Sequence, residues 1–143
     1  MAAETSRSTY WRSPVILLAT VFALAIIALA LRTIVDPVAV SANFGLPMTS
    51  RTETSFVQVY GARNLVLGLL ALAFIALRLS NATALVFTAA ALLPPMDIWI
   101  IVSRIGAGPE LTRHVIIFAA LLIMALVLWR RALRADVTGV AAA

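Results

Sequence analysis

Four apolar runs fill this chain, and each is about as long as a membrane is thick. A helix that crosses the hydrocarbon core needs about 20 residues, within a range of roughly 17–25. The first run extends from Pro14 to Leu31 without a charge, and Ser13-Pro14 is a good helix start. The second extends from about Ser55 to Leu77 and is interrupted by Gln58, Arg63 and Asn64. The third, Ala82 to Val102, contains Pro94, Pro95 and Asp97; the fourth, Leu111 to Trp129, carries Arg113 and His114 in its first turn. Composition agrees, because 63% of the residues are hydrophobic and only 12% charged. A soluble domain has about 25% charged residues, and one small core could not hide this much apolar surface from water. The solvent for these runs is lipid. Barrel strands are short and alternate, whereas these runs are continuous. The expected fold is therefore all-α: an integral membrane four-helix bundle in a single transmembrane domain over residues 1–143. Its helices are expected at about 14–32, 55–77, 82–103 and 111–130, with an outer loop over 33–54.

The first run is too long for the apolar segment of a signal peptide, about 7–15 residues, and is read as a retained helix. Orientation follows from arginine, since all 11 basic residues are Arg. With the N-terminus inside, Arg7, Arg12, Arg78, Arg130, Arg131 and Arg134 fall on the inner side, against Arg32, Arg51, Arg104 and Arg113 outside. Both termini are expected in the cytoplasm. The net charge of +5 does not point to nucleic acid, because the arginines sit at the ends of apolar runs instead of on a folded basic face. The Ala- and Arg-rich, Lys-free composition fits a high-GC bacterial genome, so the expected location is the cell membrane, multi-pass, of a bacterium. Zero cysteines exclude disulfides and thiolate chemistry. One His excludes bis-histidine haem, and one His with one deep Asp is too few for a transition-metal site. No cofactor and no metal are expected.

Ionisable groups inside a membrane are costly and usually face the bundle interior. At ~1.5 Å per residue, Arg63 lies about 12 Å, Asp97 roughly 9 Å and His114 about 6 Å from the outer surface. The inner halves of these helices are nearly all aliphatic. The polar set should thus line a pocket open to the outer leaflet. Tyr60 shares a helical stripe with Arg63, and Asn64 lies beside it. A buried charge needs a partner, so Arg63 and Asp97 are expected to pair. Pro94 and Pro95 leave the carbonyls of Ala90 and Ala91 without donors, and the third helix should bend just before Asp97. Gly61 and Gly68, two turns apart, should let a neighbouring backbone approach closely. Asp97 and His114 can form an acid–base couple. Tyr60, Arg63 and Asn64 are expected to bind substrate or stabilise its charge. Trp99 and Arg104, on the helix of Asp97, complete the expected substrate contacts, beside simpler roles as interfacial aromatic and headgroup anchor.

Phe44-Gly45-Leu46-Pro47, the run Tyr60-Gly61-Ala62-Arg63-Asn64-Leu65, Leu67-Gly68-Leu69, Asp97 and His114 together resemble the small four-helix DoxX-like membrane proteins, in particular a sister family of uncharacterised function. The resemblance covers about residues 10–132. It implies a four-helix bundle with polar residues near one end. Two functions are in view. One is an isomerase, cyclase or hydrolase acting by proton transfer on a lipophilic small molecule. The other is a non-catalytic subunit that binds a quinone, a lipid or a partner protein. The expected partners are the lipid bilayer and a lipophilic small molecule, and an oligomer is compatible with the sequence.

Overall fold

A computed structural model describes residues 10–140, with the side chains of 135–140 left aside. It is all-α among those residues, with four helical spans long and apolar enough to cross a membrane. α1 (Pro14–Val35) starts at Ser13 with proline in its first turn. α2 (Pro37–Phe44) follows after one residue, Asp36, whose carboxylate accepts from the Ala39 N–H at 3.1 Å. α3 (Arg51–Ala76) is the second span. α4 (Ser80–Ala91) and α5 (Leu93–Ile105) together form the third, and α6 (Leu111–Val140) the fourth.

Three boundaries differ from the sequence expectation. The segment 33–54 is not a plain loop, because α1 runs to Val35 and α2 occupies its middle. α3 begins at Arg51, four residues earlier than expected. The reason is a capping box: Ser50 Oγ accepts from Glu53 N at 3.3 Å while Glu53 accepts from Ser50 N at 3.1 Å. That satisfies two otherwise orphaned N–H groups and carries the helix out past the apolar run. α6 continues about ten residues beyond Trp129, since Arg, Ala and Leu are good helix formers and nothing breaks the turn there.

The third span is interrupted before Asp97, where a bend was expected. The third span breaks at Leu92, and Pro94 and Pro95 lie in the first turn of α5, where a missing N–H costs nothing.

α1 packs along α3, α3 touches α4, and α4 and α5 pack on α6, so the spans run alternately up and down. The two glycines of α3 make the first contact close. A Cβ on Gly68 would lie 2.6 Å from Ile27 Cγ1 and 3.3 Å from the Ala23 carbonyl; one on Gly61 would lie 3.0 Å from Thr33 and Ile34. The common core is small-residue rich, with Ala19, Ala23, Ala71, Ala84 and Ala125 around Ile16, Ile75 and Phe87. Lipid tails give helices no hydrophobic reason to associate, so close approach of small residues supplies the contact energy. Outward-facing Val21 and Ile123 are well exposed, as a lipid-facing surface requires.

The arginine-rich end is held by aromatic residues. The Tyr10 hydroxyl donates to the Ile75 carbonyl at 3.1 Å, and the guanidinium carbons of Arg78 and Arg131 stand 5.6 and 5.3 Å from its ring centre. Burial raises the Tyr10 pKa above the ordinary phenol value in spite of those two cations. Arg131 also donates to Ser13, and Trp129 donates to Thr88 Oγ1 at 2.9 Å. The start of α1 and the latter part of α6 therefore meet at one end of the bundle.

Because the chain has no cysteine, Pro47→Cys and Leu79→Cys are clean probes of the α3 span between them. In intact vesicles a membrane-impermeant maleimide should label the two positions from opposite sides. Labelling of both from one side would mean that α3 does not cross.

Candidate functional site

Four elements converge at the other end of the bundle. α5 supplies Asp97 in the turn after its prolines, α6 supplies His114 in its first turn, α3 supplies Tyr60 and Asn64, and α2 ends on Phe44. His114 Nδ1 stands 4.0 Å from Asp97 Oδ2. The His114 side chain is 6% exposed and the Asp97 side chain 16%. The Tyr60 hydroxyl sits beside both Asp97 and Asn64, close enough to act on each electrostatically. Phe44 closes the assembly: its ring packs edge-on against His114 at 4.7 Å between centres and against Tyr60 at 6.0 Å. Its main chain also interacts with the imidazole.

The turn that follows Phe44 explains this placement. Gly45 has φ +100°, the left-handed conformation that ends α2, and a Cβ there would lie 3.1 Å from Glu110 Cβ. The chain then folds back, with Ser41 Oγ accepting from Met48 N at 3.0 Å. The connection before α6 and the connection after α2 thus lie against each other above the polar cluster.

One atom in this cluster lacks a partner. His114 Nε2 is buried without any hydrogen bond. Leaving a buried polar atom unpaired costs about 1–3 kcal/mol. Asp97 lies on the Nδ1 side at 4.0 Å, beyond direct hydrogen-bond distance. Among the described residues no three His, Cys, Asp or Glu side chains gather as metal ligands do.

The structure brings together Tyr60, Asn64, Asp97 and His114, and leaves out three other expected residues. Arg63 is exposed, and Asp97 lies beside Tyr60 and 4.0 Å from His114 instead. The cause is helical phase. Residues two apart lie about 200° around a helix, so Arg63 points away from the α1 contact that Gly61 makes. Asn64, only about 40° from Tyr60, turns toward the cluster instead. Trp99 is 73% exposed, two residues from Asp97 and so on the opposite face of α5. Arg104 is exposed near the end of α5, about two turns beyond Asp97. Phe44 is the contact that sequence reading omits. Its signal was the aromatic residue directly before the turn-forming Gly45-Leu46-Pro47.

A family model described as a domain of unknown function (DUF4267) matches residues 23–130. The chain belongs to the DUF4267 family. All five clustered residues of this DUF4267 protein lie inside the matched range, whereas Tyr10 and Arg131, at the arginine-rich end, lie outside it. No curated protein and no solved structure matches the chain. The resemblance to DoxX-like proteins rests on the sequence motif alone.

Proposed function

We propose that this small membrane protein is an acid–base enzyme that moves a proton within a lipophilic small molecule, an isomerisation. The observation that carries the proposal is the buried, unpartnered Nε2 of His114, whose other nitrogen faces Asp97. Nε2 takes a proton from an acidified C–H or O–H of the substrate, Asp97 stabilises the imidazolium, and the Tyr60 hydroxyl donates to the oxygen on which charge develops. The imidazolium then returns the same proton to a second atom of the substrate. Nothing is oxidised or reduced, and no co-reactant is consumed. The substrate is lipophilic because the cluster is roofed by Phe44 and lies within membrane-spanning helices. Phe44 must move, or the substrate must take its place, for Nε2 to be reached.

Purification in detergent, followed by solvent extraction and mass spectrometry, tests the binding half of this reading. Wild-type protein should retain a lipophilic compound that His114→Phe, which preserves the ring but not the hydrogen bond, retains about tenfold less. Equal retention by both proteins would remove Nε2 from ligand recognition.

A further inference from the structure

Arg63 has lost the partner expected for it, and its position makes that loss consequential. It lies twelve residues into α3 and eight beyond Ser55, where the apolar run begins, about 12 Å inside that run. The side chain is exposed and makes no hydrogen bond or ion pair with any described residue. Arginine stays charged in any protein environment, and a charge facing hydrocarbon at that depth is costly. Glu53, the one acid on α3, is engaged with Ser50 at the helix start, and Asp97 faces His114.

The surface around Arg63 forms one continuous stripe along α3. Phe56, Val59, Arg63, Val66, Leu70 and Ala73 follow alternating steps of three and four residues, and all are exposed. That 3.5-residue repeat is the seam along which helices pack in pairs, and one polar residue within such a seam fixes register and partner. A shallow groove lined by Arg51, Thr52, Ser55, Phe56 and Val59 opens at its upper end. A second copy of the chain is a poor occupant. In a parallel pair Arg63 would meet Arg63, with no carboxylate on the seam to separate the charges.

We infer that the exposed face of α3 docks a transmembrane helix of another protein that carries an Asp or Glu at mid-span, opposite Arg63. The carboxylate neutralises the guanidinium with a charge-assisted, two-point hydrogen bond, and the apolar positions above and below set the register.

The test uses the whole chain, labelled with a fluorescent donor at Val35→Cys and reconstituted in phosphatidylcholine vesicles. Synthetic 24-residue Leu/Ala transmembrane peptides carry the acceptor, with a single central Glu, Gln or Leu. The Glu peptide should bind at least tenfold more tightly than the other two. Arg63→Leu should erase that preference while keeping the wild-type helix content, because the side chain is exposed. Arg63→Glu should restore association with a peptide bearing a central Arg. Equal binding of the three peptides, or a Glu preference that survives in Arg63→Leu, overturns the proposal. So does disulfide formation between two copies of Val59→Cys, which would make the face a self-interface. A Glu preference seen in maltoside micelles but lost in phospholipid vesicles would assign Arg63 to a lipid phosphate, and equally overturns it.

Discussion

His114→Gln should leave the bundle folded and lower turnover of the bound lipophilic compound by about 10²–10⁴-fold, the usual contribution of a positioned acid or base. Glutamine keeps much of the size and hydrogen-bonding capacity of histidine but cannot accept and return a proton. Few helix contacts depend on the change, because His114 lies in the first turn of α6, away from the alanine-rich core. Asp97→Asn should reduce turnover over the same range. It keeps the side-chain shape, yet it no longer stabilises the imidazolium that forms during proton transfer. The two losses should not add, since both variants disable one proton-transfer unit. Isotope exchange into the compound from deuterated water, followed by mass spectrometry, measures the proton step directly. If both variants fold and exchange at the wild-type rate, the cluster binds its ligand without reacting, and the non-catalytic subunit becomes the better account.

Gly68→Val should be the most damaging single change outside the site. The first added carbon already falls 2.6 Å from Ile27 Cγ1 and 3.3 Å from the Ala23 carbonyl, so side chain and backbone of α1 both have to yield. Overpacking of this kind costs about 1–3 kcal/mol, and here it pushes apart the longest helix contact in the bundle. Gly61→Ala should cost less, because the atoms within reach belong to the side chains of Thr33 and Ile34. Ile27→Ala should recover part of the Gly68→Val loss, since it removes the nearest obstruction but not the carbonyl. Denaturant titration of helix content in mixed micelles reads all four. Additive effects of the Gly68 and Ile27 changes would mean that the two helices do not meet as described.

The parts of this fold legible in the sequence were those that a lipid solvent dictates. Span length, the absence of charge and the proline pair before Asp97 each have one cheap solution in a membrane, and each has its counterpart in the structure. The nearness of Asp97 and His114 was legible too, because counting turns from the helix ends brings the two to similar levels. Azimuth was not. Whether Arg63 or Asn64 turned inward depended on which side of α3 met α1, and the glycines that decide this mark close approach without saying to which helix. Pairing Arg63 with Asp97 assumed that a buried cation was needed, whereas Asp97 lies beside Tyr60 and 4.0 Å from His114. Phe44 was missed for a different reason. It ends an eight-residue helix between two spans, where apolar periodicity is too brief to give a direction.

Histidine occurs once in the chain, so a protein labelled with [¹⁵N]histidine reports on His114 alone. Solid-state nitrogen spectra of the protein in bilayers, before and after extraction of the lipophilic compound, test whether Nε2 is the ligand-facing atom. With the compound bound, the Nε2 resonance should shift as an acceptor gaining a hydrogen bond, while Nδ1, held on the Asp97 side, should move little. An Nε2 resonance unchanged by loading and extraction would contradict the central claim that this nitrogen is kept unpaired for a ligand.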